Sequence, residues 1–505
     1  MSNNIVDVLW EKILQTRKET FDVVVVGFVI AGLSAAVTAH QNGATVAILE
    51  RAPLDERGGN TRYTESLWRM KNHDAVSDDF QNRFSENSGG WPDPGIVKDA
   101  VLERDNQPRV LRSLGVVDPD LINTLAQEAP KCLSWLGEFG VKFDFLPTYF
   151  LSQSTTRMAP VGGGLALVDA LGNYVDTHTN KISVFYETAA RELITNECGH
   201  VVGVKGVSAG NTPFEAIGGS VILSCGGFQG NPEMLSHYIG PQAQFVRPVS
   251  RGGHYNRGEG IRMALDIGAA PCGDFGSFHA QPVDPRATDT EPVVLNYSYG
   301  ILINDAGERF TDEGFNMVDS TYESLTRTIM AQRGGIAFAV FDKSLEDVKN
   351  WSVTVRSTVP PLLAETLDAL AKLMNVPVAQ LNDTVDKYNS ACPNQNGFDP
   401  MVLDGLATKG LDPIKSNWAR PISLPPFKAW PIICSNCFTF GGLKIDSRAR
   451  VVNTEGDIIP GLYAAGEVAG IDYRTYTGST SVMRGVVTGR LAGKDAILRD
   501  DNKAL

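Results

Sequence analysis

The feature that most constrains the fold is a run of four valines that ends in a glycine turn. Val23 to Val26 predict a strand buried on both faces, and a helix of small residues begins soon after Gly27. A second apolar strand, 45–49, follows the helix and ends at Glu50. This is the context in which a glycine turn binds a dinucleotide, because the helix N-terminus attracts a pyrophosphate and the acid accepts hydrogen bonds from a ribose.

The glycine pattern is nevertheless incomplete. The motif G-x-G-x-x-G would place glycines at 27, 29 and 32, and position 29 is a valine. The second glycine normally lets the backbone approach the pyrophosphate closely. We therefore expect the isopropyl group of Val29 to push a phosphate away or to shift the turn, and an ordinary βαβ unit that binds nothing remains an alternative for this stretch alone.

Composition excludes several classes of partner. The net charge of −13 argues against nucleic acid and anionic membranes, and no apolar run reaches eighteen residues, so we predict no membrane span. Residues 1–20 resemble a short amphipathic helix rather than a signal peptide, which leads us to expect a cytoplasmic protein. The seven cysteines are scattered, and the single CxxC at 434–437 lacks a second ligand pair, so free thiols and no metal site are predicted.

Two further strands run into glycines later in the chain. They are the segments 218–228 and 456–467, and the second ends in Gly466 and Glu467. Glycine-rich loops at 57–64 and 162–165 could supply backbone donors to an anion, although an ordinary surface loop explains 57–64 equally well. A ligand that touches all three strand–glycine junctions would have to be long and embedded in a single sheet.

Taken together, these segments resemble the FAD-binding domain of the fumarate reductase/succinate dehydrogenase flavoprotein superfamily, and most of all its tricarballylate dehydrogenase-like branch. The similarity covers about residues 20–495. The matching segments occur in family order and are 57–64, 162–171, 224–231, 256–265, 300–314, 438–446 and 461–467.

The resemblance implies an α/β fold with a Rossmann-like (GR2-type) FAD-binding domain and an inserted α+β cap domain. The FAD-binding domain would comprise 1–244 and 426–505, and the cap 245–425. FAD would be bound non-covalently, because Asn60 and Thr61, rather than a histidine, occupy the loop near the expected linkage. The implied cofactor-binding residues are Gly27, Val29, Ile30, Ala31, Gly32, Glu50, Arg51, Gly58, Gly59, Asn60, Thr61, Gly163, Gly164, Cys225, Gly226, Gly227, Gly441, Gly466, Glu467, Ser481 and Val482.

The charged groups that grip a dicarboxylate in fumarate reductases are missing from the matching positions. The resemblance would require an arginine near 316–318, a histidine at 438 and an arginine at 476, where this chain has Asn-Met-Val, Phe438 and Tyr476. Because paired arginines are the usual grip on carboxylates, neither fumarate nor tricarballylate is a favoured substrate.

The residues expected to face the flavin are aromatic and polar. The candidates for catalysis are His279, Tyr297, Tyr299, Tyr473 and Tyr476, and those for substrate binding are Arg474, Thr477, Ser479, Phe438 and Thr439. A hydrogen-bonded core histidine is the alternative for His279. Arg484 could be a plain surface charge, and Asp312 and Glu313 are expected to be structural.

These residues predict an FAD-dependent oxidoreductase that acts on CH–CH groups. It would form a C=C bond next to a carbonyl or carboxyl in a small molecule such as a secondary metabolite, with hydride passing to flavin N5 and a Tyr or His moving the proton. The alternatives are an ene-reductase, and an isomerase or cyclase that uses FAD only as a scaffold. No haem-attachment motif or cluster cysteines occur, so the electron acceptor would be oxygen, a quinone or a separate protein.

Overall fold

The computed structural model describes residues 16–87, 93–115 and 118–498. Within these ranges, no helix has both the length and the apolar character needed to cross a membrane. Most of the predicted N-terminal helix lies outside the described residues. Its last part, from Arg17 onward, is wrong as a helix, because these residues form the start of the first strand and pair with a neighbouring strand from Phe214 onward.

The structure contains both β-strands and α-helices throughout the described residues. The strands are β1 (Arg17–Val26), β2 (Val46–Leu49), β3 (Met70–Asn72), β4 (Ala75–Val76), β5 (Phe143–Asp144), β6 (Ala159–Pro160), β7 (Ile182–Phe185), β8 (Ala189–Thr195), β9 (Val201–Ser208), β10 (Thr212–Leu223), β11 (Arg247–Pro248), β12 (Pro271–Cys272), β13 (Phe278–Val283), β14 (Ile301–Asn304), β15 (Ile336–Phe341), β16 (Leu362–Ala364), β17 (Phe427–Thr439), β18 (Gly442–Leu443), β19 (Arg450–Val452) and β20 (Ile458–Ala464). The α-helices are α1 (Ile30–Gln41), α2 (Phe80–Glu86), α3 (Pro94–Ala100), α4 (Arg109–Ser113), α5 (Pro119–Glu138), α6 (Gly163–Thr177), α7 (Pro232–Ile239), α8 (Glu259–Asp266), α9 (Val318–Met330), α10 (Leu367–Met374), α11 (Val378–Ala391) and α12 (Ser481–Asp495).

The first sheet brings the three predicted strand–glycine junctions together. Its main path is β19-β20-β10-β1-β2-β7, and β20, β10, β1 and β2 are mutually parallel. In the register, Val26 pairs with Leu223, and Leu223 pairs with Ala464. The turns after β1, β10 and β20 therefore lie side by side at the carboxyl edge of one sheet, which is where open α/β sheets bind ligands.

Helices α1 and α12 pack parallel to each other, with their backbones in close contact. Gly485, Gly489 and Gly493 recur every four residues along α12 and face α1. A Cβ on Gly489 would lie against the carbonyl oxygen of Ala31, and one on Gly493 would lie against that of Ala35, both well inside van der Waals contact. The positive N-terminal ends of both helices consequently face the same edge of the first sheet.

The second sheet is built around the long strand β17. This strand pairs with β11, β13, β15 and β16, and β14 joins through β15. Its strands lie between 247 and 439, whereas those of the first sheet lie before 224 and after 449. The division into a discontinuous FAD-binding domain and a cap remains a proposal. The predicted boundary at 425/426 assigns β17 to the FAD-binding side, although β17 pairs within the second sheet.

The apolar pattern from Leu362 to Leu381 predicts a helical segment, and the structure interrupts it. Residues 362–364 form strand β16 against β17, and the helices α10 and α11 follow. Asn375 ends α10 in the left-handed conformation at φ 56°, and Pro377 cannot donate a backbone hydrogen bond. The apolar periodicity of this stretch therefore spans one strand and two helices.

The tight packing of α1 against α12 predicts that an added methyl group destabilises the protein at this contact but not at a glycine with free space around it. Gly489→Ala should lower the free energy of unfolding by about 1–3 kcal/mol, because the new Cβ has no room beside the α1 backbone. Gly137→Ala, in α5, is the matched control, since a Cβ there meets nothing within 4 Å. It should be neutral or stabilising by up to about 1 kcal/mol, because alanine favours a helix over glycine. Urea unfolding followed by circular dichroism measures both, and equal effects would contradict the assigned packing.

Candidate active site

A cleft runs along the carboxyl edge of the first sheet and continues towards the second sheet. Its first lobe has a volume of about 530 Å³ and its second about 1280 Å³, including space open to solvent. Val29 and Asn256 line both lobes and mark their junction. Because the lobes share these two residues, they form one elongated cleft at the edge where open α/β sheets bind ligands.

Glu50 anchors the first lobe. Its carboxylate accepts hydrogen bonds from the backbone N–H groups of Phe28 and Ala52, both at 2.7 Å, and burial raises its pKa. Each carboxylate oxygen has a second lone pair, so the group remains able to accept a ribose hydroxyl. Arg51, next in sequence, pairs with Glu259.

Val29 narrows the cleft where the lobes meet. Its backbone is extended, with φ −108° and ψ 174°, and is therefore unstrained. One of its methyl carbons lies 2.6 Å from the place that a Cβ on Gly59 would take. Gly59 has φ +51°, so this glycine lets the 57–64 loop close against the valine side chain.

The N-terminus of α12 forms part of the second lobe. The hydroxyl oxygen of Tyr476 accepts hydrogen bonds from the backbone N–H groups of Thr480 at 2.8 Å and Ser481 at 2.9 Å. Glu467, half-buried nearby, accepts from the N–H of Thr439 at 2.8 Å, and desolvation raises its pKa. Tyr476 thus caps the helix, and its hydroxyl is occupied by that role.

Aromatic rings line the far part of the second lobe. The ring of His279 lies 4.6 Å from that of Tyr476, 5.3 Å from that of Phe438 and 5.6 Å from that of Tyr322. Phe150 continues the wall, 5.7 Å from Tyr322. This end of the cleft is suited to a flat, mostly apolar molecule.

His279 connects the cleft to a buried carboxylate. Its Nδ1 lies 2.7 Å from Glu323 Oε2, and its Nε2 lies 3.3 Å from the hydroxyl of Tyr322. Burial alone would raise the pKa of Glu323, but the hydrogen bond from His279 and the charge of Arg327 hold that pKa below its ordinary value. The ionised Glu323 accepts a hydrogen bond from Nδ1–H, which leaves Nε2 to accept a hydrogen bond from the hydroxyl of Tyr322.

Buried charges around the second lobe are paired. Arg157 contacts Asp319 at 2.9 Å, and both side chains are almost fully buried. Arg484 pairs with Asp472 and is only 1% exposed, so the alternative that it is a plain surface charge is wrong. Removing either partner would leave an uncompensated buried charge.

A third charge cluster has an excess of acid. Arg356 lies 2.9 Å from Glu291 and 3.3 Å from Glu65, so two carboxylates share one guanidinium. Burial and the neighbouring Glu291 raise the pKa of Glu65 to about 7. Gln281 lies beside these acids and donates to the hydroxyl of Tyr149 at 3.3 Å.

The second lobe is built to receive a polar ligand. Among the described residues, several buried polar atoms on its wall have no hydrogen-bond partner: Ser66 Oγ, Glu65 Oε2, Gln281 Oε1, Asp319 Oδ1, Arg157 Nε and Arg484 Nε. Three non-glycine residues with positive φ also line it, namely Ser66, Glu291 and Ser479. Such atoms and such backbone strain concentrate at ligand sites. The acid of the first lobe and the N-terminus of α1 fit the nucleotide part of a long dinucleotide, and Val29 is the residue there that does not fit.

The structure brings most of the predicted residues to the cleft. Those in the first lobe are Gly27, Glu50, Arg51, Gly59 and Cys225, with Val29 in both lobes. Those in the second lobe are Ile30, Ala31, Asn60, Thr61, Gly226, Gly466, Glu467, Ser481, Val482, His279, Phe438, Tyr476 and Ser479. Their individual roles remain proposals.

The other predicted residues lie outside the cleft lining. They are Gly32, Gly58, Gly163, Gly164, Gly227, Gly441, Tyr297, Tyr299, Tyr473, Arg474, Thr477 and Thr439. Several have clear packing roles. Tyr297 is fully buried in a core cluster of the second sheet, and the hydroxyl of Tyr473 accepts from the N–H of Gly273 at 3.0 Å. Arg474 is exposed, and Thr477 accepts from the amide of Asn87 at 2.7 Å.

Sequence reasoning missed the residues that tertiary packing adds. They are Glu65, Tyr149, Phe150, Arg157, Gln281, Glu291, Asp319 and Tyr322. Two of them had a nearby signal. Gln281 lies two residues after His279 on β13, where alternate side chains share a face. Glu65 follows directly on the predicted glycine loop.

Comparison with known proteins gives one family and several relatives. The family model described as "FAD binding domain" matches residues 22–482. The chain is 28% identical to the NADH:acrylate oxidoreductase of Vibrio harveyi over 95% of its own length, and it spans about half of that protein, 51%. It is 26% identical to the vinyl phenol reductase of Lactiplantibacillus plantarum, over 95% of this chain and 97% of that one.

A solved structure shares the fold. The open conformation of a flavocytochrome c3 fumarate reductase matches with a TM-score of 0.69 at 23% identity, over 98% of this chain and 81% of that chain. The predicted α/β class with a Rossmann-like FAD-binding fold is confirmed by this likeness.

The narrowing at Val29 predicts a measurable effect on cofactor affinity. Val29→Gly should tighten FAD binding about tenfold, because the backbone N–H groups of α1 could then approach the pyrophosphate. Titration of apoprotein with FAD, followed by flavin fluorescence, gives the dissociation constant. Val161→Gly is the control, since Val161 is 52% exposed and lies outside the cleft. Unchanged or weaker binding by Val29→Gly would show that the valine shapes the groove through Gly59 rather than obstructing it.

Proposed function

Because this chain belongs to the FAD binding domain family, with the model matching residues 22–482, we propose that it is an FAD-dependent oxidoreductase acting on a carbon–carbon bond of a small, mostly apolar molecule. The predicted superfamily and the predicted cofactor are confirmed by this membership. Bound FAD supplies two-electron chemistry, since its ring system exchanges a hydride with a substrate carbon. Glu50, the α1 N-terminus and the 57–64 loop would hold its nucleotide part, and the second lobe its ring.

The observation that carries the proposal is the connected set Tyr322, His279 and Glu323. Tyr322 lines the second lobe, its hydroxyl reaches His279 Nε2 at 3.3 Å, and His279 reaches Glu323 at 2.7 Å. This is the arrangement of a base oriented by a carboxylate. Thr475 and Arg327 also donate to Glu323, at 2.9 and 2.7 Å, and fix its position.

In the dehydrogenation direction, the Tyr322 oxygen takes a proton from a substrate carbon while its own proton passes to His279 Nε2. The neighbouring carbon loses a hydride with both electrons, and the C=C bond forms. Burial raises the pKa of Tyr322 well above its ordinary value, so the hydroxyl is neutral at rest and needs His279 to accept its proton in the same step. The resulting imidazolium is stabilised by ionised Glu323.

Reduction of a C=C bond, the reverse of dehydrogenation, is the second candidate function. The two curated relatives are named for acrylate and vinyl phenol, and the second is named as a reductase and has almost the same length as this chain. The same groups would then pass a proton from His279 through Tyr322 to the substrate carbon. This direction needs a separate two-electron donor, whereas dehydrogenation needs a separate acceptor such as oxygen, a quinone or another protein.

A pair of anaerobic experiments tests the proposal and its direction. Oxidised, FAD-loaded protein is mixed with 4-ethylphenol, and dithionite-reduced protein is mixed with 4-vinylphenol. Bleaching of the flavin absorption in the first mixture indicates dehydrogenation, and its recovery in the second indicates reduction. If the flavin spectrum changes in neither mixture, and also stays unchanged when propanoate and acrylate replace these probes, the proposed reaction is contradicted.

The role of Tyr322 predicts a large loss of rate without a loss of cofactor. Tyr322→Phe should slow the observed flavin reaction by about 10²–10⁴-fold, the usual contribution of a positioned acid or base, and should leave FAD affinity unchanged. Tyr388→Phe is the matched control, because Tyr388 is 1% exposed and lies in α11, away from the cleft. If Tyr322→Phe keeps full activity, the proposed role of Tyr322 in proton transfer is contradicted.

A further inference from the structure

The cluster of Glu65, Glu291, Gln281 and Arg356 is not used by the proton transfer. Glu65 belongs to the segment that follows the glycine loop, and Gln281 lies on β13. Glu65, Gln281 and Glu291 all line the second lobe, and Arg356 contacts both acids. The cluster is therefore positioned to select what enters the aromatic end of the cleft.

We propose that the substrate carries a protonated amine on its apolar body, and that the amine binds among Glu65, Glu291 and Gln281. This inference rests on the proposed function and names the substrate class of that same site. It is argued from the local charge, from unpartnered hydrogen-bond acceptors and from the surrounding rings.

The charge of the lobe favours a cation. Four carboxylates line it, those of Glu65, Glu291, Asp319 and Glu467, against the two guanidiniums of Arg157 and Arg484. Arg157 is paired with Asp319, and Arg484 with Asp472 behind it. Glu467 accepts hydrogen bonds from the N–H of Thr439 and the amide of Gln229 and has no cationic partner among the described residues. Arg356 adds one positive charge for Glu65 and Glu291. A carboxylate ligand would meet like charge here, whereas an ammonium would complete the pairing.

The unpartnered atoms of the cluster are acceptors. Gln281 is 4% exposed, and its Oε1 has no partner among the described residues, nor has Glu65 Oε2. Buried acceptors without donors are costly, and an ammonium brings three donors in one group. A ligand hydroxyl could satisfy one of these oxygens, but it would leave the excess charge uncompensated.

Aromatic rings complete the environment of a cation. Tyr149 accepts from Gln281 through its hydroxyl, and its ring already holds the guanidinium of Arg356 at 5.5 Å. Phe150 packs 4.8 Å from Tyr149. Ring faces attract cations, so the apolar body and the charged end of an aryl amine are both accommodated.

Three probes with one phenol body test the inference: tyramine, 4-ethylphenol and 3-(4-hydroxyphenyl)propanoate. They end in an ammonium, a methyl and a carboxylate. Binding to oxidised, FAD-loaded protein at pH 8, above the raised pKa of Glu65, is measured by calorimetry. Tyramine should bind at least ten times more tightly than 4-ethylphenol, and the carboxylate most weakly. Equal affinities, or tighter binding of the carboxylate, would overturn the inference.

The Glu65→Gln variant distinguishes a role of Glu65 in ligand recognition from a role in holding its loop to Arg356. The variant should lose the tenfold preference for tyramine while its affinity for 4-ethylphenol stays the same, and Glu291→Gln should do likewise. Glu192→Gln, an exposed acid paired with Lys205 on the first sheet, is the control and should retain the preference. An equal loss for all three probes would mean that Glu65 only ties its loop to Arg356, and would refute the amine site.

The binding assay does not depend on turnover. If tyramine is preferred and no probe changes the flavin spectrum, the amine site stands and the proposed reaction fails. If the flavin responds to 4-ethylphenol or 4-vinylphenol while tyramine is not preferred, the reaction stands and the amine site is refuted.

Discussion

The structure depends on the register of four parallel strands. Because β20, β10, β1 and β2 end together, three glycine turns and an acid share one edge of the sheet. The glycines of α12 then let that helix lie against the α1 backbone, so both positive helix ends face the same edge. A dinucleotide pyrophosphate is the kind of anion that such an edge attracts. The second sheet adds His279, Gln281 and Phe438 to the lining of the second lobe.

Much of this could be predicted from local sequence. The valine run, the glycine turns and the helices after them are set by residues close together in the chain, so the fold class and many residues of the cleft lining follow from short patterns. Tyr476 and His279 were found through family order, and the structure places both in the cleft. The resemblance implies that β17 belongs to the FAD-binding side, although its hydrogen bonds lie in the second sheet.

What could not be predicted depends on contacts between distant segments. Tyr322 and Glu323 are neighbours on α9, and each reaches His279 from a different side only because α9 packs against β13. No local pattern marks them. Tyr297 and Tyr299 had equally suggestive positions before β14, yet both belong to a buried core cluster, and Tyr299 donates to the carbonyl of Pro400 at 2.9 Å. Glu65, Glu291 and Arg356 likewise meet from three separate stretches.

The second lobe of this chain lacks a positive charge that the family resemblance implies. Where the resemblance implies an arginine, this chain has Tyr476, whose neutral hydroxyl caps α12. A guanidinium at that N-terminus would face a helix dipole of the same sign and would be favourable only with an anionic ligand to balance it. With the arginine absent, the positive helix end no longer needs a substrate carboxylate. Glu65 and Glu291 add acidic side chains to the same lobe, so the missing arginine and these acids both support the proposed preference for a cationic substrate over an anionic one.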